Sequence, residues 1–136
     1  MKIKEYPRWV IHLSPFQCYL GWCDISLGRH LEDLFEVSSE EWKELFLVTG
    51  KLKSAVQLSF QNDIFNYSSL GNRARHLHLH VIPRYRQAKE FDGVKFTDAR
   101  WGRNYSPYDK SFQIAESTKD KIIETIRKGL PDYVVP

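Results

Sequence analysis

Apolar and polar residues first alternate in short runs along the chain, then repeat at helical spacing, then alternate again. Residues 8–13 (RWVIHL) and 17–25 (QCYLGWCDI) are apolar-rich, separated by Ser14-Pro15 and closed by polar residues around Ser26-Leu27-Gly28-Arg29. They predict two strands of an antiparallel hairpin. Ser38 followed by Glu41 forms a capping-box pattern, in which each side chain answers the other's backbone N–H. Trp42, Leu45, Phe46, Thr49, Leu52 and Val56 then fall at helical spacing, which predicts a helix over 39–59.

The next run, 63–67 (DIFNY), reads as a short strand. Residues 68–72 (SSLGN) have the composition of a turn, and 74–84 alternate as a strand, so a hairpin centred on Gly71 is expected. Residues 87–116 show little periodicity and are interrupted by Gly93, Gly102 and Pro107. An irregular segment of that length inside a domain is usually functional. Ser117 with Asp120 opens a second helix, 117–129, with Ile122, Ile123 and Ile126 as its apolar stripe and Gly129 placed to end it. The order β, β, α, β, β, α predicts an α+β domain with helices packed on an antiparallel sheet.

Composition adds bounds. The 136 residues suit one domain, and 42% hydrophobic with 14% aromatic content supplies a core that needs no staples. The two cysteines, Cys18 and Cys23, would lie on opposite faces of a strand, so no disulfide is expected and a reduced, cytoplasmic setting is. No apolar run suits an export signal or a membrane span. A net charge of +3 is too small to indicate a nucleic-acid binder, yet Arg73, Arg75, Arg84 and Arg86 gather around the histidines and point to a local anion site.

The chemistry concentrates in Arg75-His76-Leu77-His78-Leu79-His80-Val81-Ile82-Pro83-Arg84. On a strand, His76, His78 and His80 would share one face at about 7 Å spacing while Leu77, Leu79 and Val81 face the other way. His12 and His30 read singly as packed or solvated residues, but clustering three imidazoles in register costs desolvation or repulsion that Thr or Val would avoid. A metal site is one reading: His-X-His can hold Zn²⁺ with an open position left for water. Against it, the chain lacks an HExxH motif and a cysteine pair, and arginines flank the site. Phosphate chemistry is another reading: a neutral imidazole attacks phosphorus, a neighbouring histidine delivers a proton, and a Ser/Gly/Asn turn with arginines receives the oxygens.

The run His76-Leu77-His78-Leu79-His80-Val81-Ile82 resembles the His-φ-His-φ-His-φ-φ signature, φ being apolar, of the histidine triad (HIT) superfamily of nucleotide hydrolases and transferases. Residues 65–85 (FNYSSLGNRARHLHLHVIPRY) and 17–42 (QCYLGWCDISLGRHLEDLFEVSSEEW) are similar to its bacterial diadenosine tetraphosphate hydrolase-like branch, and Trp101-Gly102 resembles a Trp-Gly in that branch's C-terminal loop. The resemblance implies an α+β fold, an antiparallel sheet of about five strands with two helices on it, spanning 1–136 as one domain and assembled as a homodimer. It implies cleavage at the α-phosphate of a purine nucleotide substrate, such as a dinucleoside polyphosphate or nucleoside phosphoramidate, through a nucleotidyl-His78 intermediate. No resident metal or other cofactor is implied, and Mg²⁺ would enter only with a polyphosphate substrate.

Carried over by position, His78 is the nucleophile, His80 contacts the phosphate and the leaving-group oxygen, and the His76 backbone carbonyl accepts from His78 Nδ1–H. Asn66, Gly71 and Asn72 are phosphate-binding residues, and Trp101 belongs to the loop expected to contact substrate. Two positions depart from the common pattern. Gly71-Asn72-Arg73 stands where many members have a hydroxyl residue before the triad, and Trp22 after Gly21 stands where many have a further histidine. For Trp22, filling the core and stacking on a base are equally open.

Overall fold

The computed structural model describes residues 1–135. Seven strands and two α-helices follow in the order β1 (Lys2–Glu5), β2 (Trp9–Leu13), β3 (Cys23–Leu27), α1 (Ser39–Phe60), β4 (Ile64–Ser68), β5 (His78–Arg84), β6 (Lys89–Phe91), β7 (Val94–Phe96) and α2 (Glu116–Lys128). Five strands form one antiparallel sheet in the order β1-β2-β3-β5-β4, and β6 pairs with β7 as a separate hairpin. The expected five-stranded sheet with two helices is therefore present.

Period two divides the sheet into two chemistries. Trp9, Ile11, Leu13, Cys23, Ile25, Leu27 and Val81 bury themselves with Leu45, Val48 and Leu52 of α1 and Ile122 and Ile126 of α2. The opposite face carries His12, Asp24, Ser26, His78, His80, Asn66 and Ser68. The helices thus hold one face and leave the other for chemistry. No helix is long and apolar enough to cross a membrane.

Several boundaries differ from the sequence reading. Residues 17–22 form turns and β3 begins only at Cys23. Buried Gln17 explains this: its Nε2 donates to the carbonyls of Ser14 and Trp22, both at 2.9 Å, and its Oε1 accepts from Gly21 N. A side chain has taken the place of a strand partner. The β4–β5 connection runs from 69 to 77, so β5 starts at His78 and His76 precedes it. Segment 87–116 contains the β6–β7 hairpin, turned by Asp92 and Gly93 at φ of 52° and 74°, the left-handed pair a type I′ turn requires.

The Ser38–Glu41 capping box forms in both directions, and α1 extends one residue past its expected end. Its buried stripe is rotated: Glu41, Glu44, Val48 and Ala55 are inside, whereas Phe46 is 80% exposed and Trp42 39%. Glu44 is buried because it accepts from the backbone N–H groups of Arg8 and Trp9, at 2.7 and 3.0 Å. Helix α2 begins at Glu116 without a side-chain cap, so the Ser117–Asp120 start is not used. The neighbouring Thr118 hydroxyl instead donates to Asp92 at the β6–β7 turn.

Candidate active site

Antiparallel register assembles the polar face. His78 lies beside Ser26 of β3, and His80 lies between Asp24 of β3 and Ser68 of β4. Trp22, the connection through Gly71–Arg73 and the C-terminal Tyr105 and Tyr108 complete an open cavity of about 530 Å³ into which both histidines face. Gly71 takes φ +65°, with open space where a Cβ would stand. This left-handed residue exposes backbone donors at the cavity rim.

The two imidazoles are parallel within 8°, with centroids 6.3 Å apart. Nδ1–H of His80 donates to Asp24 Oδ1 at 2.5 Å, and the indole N–H of Trp22 donates to the same oxygen at 3.2 Å. A carboxylate accepts only, so the proton sits on His80 Nδ1 and Nε2 is the nitrogen left for a guest. Among the described residues, the His78 ring has no hydrogen-bond partner. The expected bond from its Nδ1–H to the His76 carbonyl does not form, since His76 sits in the connection before the strand.

His76 is placed behind the cavity rather than in its wall. Its Nε2–H donates to the Leu27 carbonyl at 2.9 Å, its ring meets His78 edge-on at 5.5 Å, and exposed His30 lies 5.7 Å away. Leu77 N–H to the Leu31 carbonyl at 2.8 Å and the Arg75–Glu32 ion pair complete this clasp. Asn72 stands in the cavity wall with Gly71. Asn66 is not part of the cavity lining; Arg84 donates to its Oδ1 at 2.7 Å, and among the described residues its amide N–H groups have no acceptor. Trp101 lies outside the cavity, under the Arg86 guanidinium at 5.6 Å. The segment after it supplies the aromatic wall instead.

Trp22 fills a small core beside the cavity, buried with Tyr19 and Ile82. It is 2% exposed and packs edge-on against Tyr108 at 4.9 Å, Tyr105 at 5.8 Å and His80 at 5.9 Å. The tyrosine segment is fastened by Tyr105 OH to Ser68 Oγ, 3.1 Å, and by Tyr19 OH to the Tyr105 carbonyl, 2.6 Å. Burial pushes the Tyr19 phenol up to about 12 and raises that of Tyr108, so both remain neutral donors at pH 7. Arg73 and Lys110 are the cations of the lining, and Asp24 is its one acidic side chain. Asp24 and Tyr108 were not anticipated, whereas Tyr105 belongs to the loop expected to contact substrate. An acid inside the apolar run WCDISL was the available signal, but its partner depended on strand register.

Among the described residues, no three His, Cys, Asp or Glu side chains are arranged to hold a metal ion.

No protein of curated function matches the chain. Solved structures do match. A histidine triad protein from Bradyrhizobium japonicum aligns at 18% identity over 96% of this chain and 90% of its own, with a TM-score of 0.81. One from Sinorhizobium meliloti aligns at 19% identity over 96% and 89%, also at 0.81. A Zn-bound histidine triad family protein from Mycobacterium smegmatis aligns at 19% identity over 94% and 81%, with a TM-score of 0.59. At these identities the likeness concerns the fold. The HIT domain model matches residues 8–87, more than half of the sequence, and spans β2 through the histidine strand. The chain therefore belongs to the HIT, or histidine triad, domain family.

Proposed function

We propose that the protein is a nucleotide hydrolase or nucleotidyl transferase working through a covalent nucleotidyl-His78 intermediate. The observation that carries this reading is the pair of parallel imidazoles, His78 and His80, facing one cavity whose rim is the Gly71–Arg73 turn. In the proposed reaction a His78 nitrogen attacks the α-phosphorus, and the bond from phosphorus to the leaving group breaks. Asn72 and the backbone N–H groups near Gly71 receive the non-bridging oxygens. Water, or an acceptor alcohol, then attacks phosphorus and releases His78.

Arg73 and Lys110 suit a substrate with more than one phosphate, such as a dinucleoside polyphosphate, with Mg²⁺ travelling on the substrate. The partly exposed Tyr105 and Tyr108, backed by buried Trp22, suit a purine ring. Mixing the protein with adenosine 5′-phosphoramidate and mapping the adduct by mass spectrometry tests the reading. The expected result is an adenylyl group on His78, with turnover falling by on the order of 10⁴ in His78→Ala. An adduct elsewhere, or unchanged hydrolysis in that variant, rejects it.

A binding role without turnover is the competing reading, favoured by the lack of a hydrogen-bond acceptor for the His78 ring. Tight AMP binding by calorimetry with no hydrolysis across phosphoramidate and polyphosphate substrates would select it. The exposed Phe35, Trp42 and Phe46 near the start of α1 also support a two-fold homodimer through that helix. Light scattering of the wild type and of Phe46→Glu tests this, with dissociation expected in the variant.

A further inference from the structure

We infer that Asp24 is a positioning residue that makes His80 the proton carrier of the reaction, an inference resting on the function proposed above. Asp24 sits in β3 directly across from His80 in β5. Its Oδ1 accepts from His80 Nδ1–H at 2.5 Å and from the Trp22 indole N–H at 3.2 Å. The indole restrains the carboxylate, and the carboxylate restrains the ring. His12, across from Asp24 on β2, is held below its usual pKa by burial and stays neutral at pH 7, so it does not compete as a cation.

The consequence is a division of labour between two imidazoles that the sequence spaces identically. His78 lies across from Ser26 and has no carboxylate partner, which leaves a ring nitrogen free to attack phosphorus. His80 has a carboxylate fixed on Nδ1, so Nε2 is the nitrogen left to exchange a proton with the substrate. In the first half-reaction His80 starts as the imidazolium, with a proton taken from solvent on Nε2 beside the one on Nδ1; His78 bonds to phosphorus, the bond to the leaving-group atom breaks, and His80 Nε2–H passes its proton to that atom. In the second, His80 Nε2 takes a proton from water as its oxygen bonds to phosphorus and the bond to His78 breaks. The sum is substrate plus water giving nucleotide and protonated leaving group, with His80 restored.

The dependence on leaving group tests this. An amine leaves phosphorus only when protonated, whereas p-nitrophenolate leaves without help. Asp24→Asn keeps an acceptor for Nδ1–H but removes the charge. It should lower kcat on adenosine 5′-phosphoramidate by about 10²-fold, with little change in KM and a clearly smaller loss on the p-nitrophenyl ester of AMP. Asp24→Glu should recover part of the loss. Equal losses on both substrates, or none, would overturn the proposal while leaving an adduct on His78, and hence the proposed function, intact.

A second arm does not depend on activity. Long-range ¹H–¹⁵N spectra of histidine-labelled protein should show His80 with its proton on Nδ1 in the wild type and a mixture of tautomers in Asp24→Ala. A wild-type His80 protonated on Nε2 alone, or a tautomer unmoved in Asp24→Ala, overturns the assignment. Failure of wild-type protein to label His78 rejects the function itself. Melting curves establish that each variant is folded, and Asp24→Asn, nearly isosteric, serves where Asp24→Ala is not.

Discussion

Arg84 and Asp98 form a buried, two-point ion pair: Nε donates to Oδ2 at 2.7 Å and Nη2 to Oδ1 at 3.1 Å, with 2% and 0% of the side chains exposed. The same guanidinium donates to Asn66 Oδ1 and to the carbonyls of Arg100 and Arg103, and lies over the Tyr19 ring at 4.9 Å. Every N–H direction of one arginine is thus used to pin the segment after β7 against the sheet. Removing one member strands a buried charge. Asp98→Ala should cost about 3–5 kcal/mol by chemical denaturation. Because Tyr105 and Tyr108 ride on the pinned segment, AMP affinity should fall as well.

Glu41 links helix capping to the Arg29 side chain after β3. Its carboxylate accepts from Arg29 at 2.7 and 2.9 Å and from Ser38 N at 2.7 Å, and the Arg29 hydrogen bonds chiefly hold its pKa down, from 4.5 to about 2. A lowered folded-state pKa makes the contribution whole above about 4.5 and removes it as pH falls through about 2. Urea midpoints of the wild type and of Glu41→Gln should therefore differ at pH 6 and converge toward pH 2. The half-exposed Arg29 keeps the difference modest. A gap that persists at pH 2 would mean that Glu41 acts through packing.

Gly129 reveals a different limit on reading sequence. It does end α2, as its position after the apolar stripe indicated, but with φ −89° and not in the left-handed conformation. What requires glycine is contact: a Cβ there would stand 2.8 Å from the Ala55 Cβ on α1. Gly129→Ala, which would gain stability at an exposed helix end, should here lose about 1–3 kcal/mol, read from the thermal or urea midpoint. A gain would show that the helices separate freely.

These cases divide what was legible from what was not. The capping box at Ser38 and Glu41 was legible because its partners are three residues apart. The facing of His78 and His80 was legible because period two is local. Asp24 meets His80 across 56 positions, and Arg84 meets Asp98 across 14, so neither pairing exists until register and loop path are set. Phe46 and Trp42 misled because hydropathy cannot separate a core stripe from an exposed apolar patch, and buried Glu41 and Glu44 occupied the stripe they were expected to fill. The Asp92-Gly93 turn was legible in principle, since Asp-Gly between alternating residues is a strong hairpin signal.

Gln17 joins a local turn to the distant cavity, because both meet in one side chain. It is 1% exposed, and its amide satisfies the Ser14 and Trp22 carbonyls and the N–H of Gly21, a residue with φ +86° where an added Cβ would stand 3.1 Å from the Phe60 ring. Gln17→Leu keeps the volume but leaves the Ser14 carbonyl and the Gly21 N–H without this partner, while the Trp22 carbonyl keeps the Ser14 N–H. Each such group costs about 1–3 kcal/mol, non-additively, so a loss of several kcal/mol is expected. Gln17→Glu retains an acceptor for Gly21 but cannot donate to the two carbonyls, and should also be destabilised. Since this turn delivers Trp22 to Asp24 and the tyrosines, the variants that remain folded should show altered tryptophan fluorescence and weaker AMP binding. Destabilisation with both signals unchanged would mean that Trp22 is positioned by its aromatic neighbours alone.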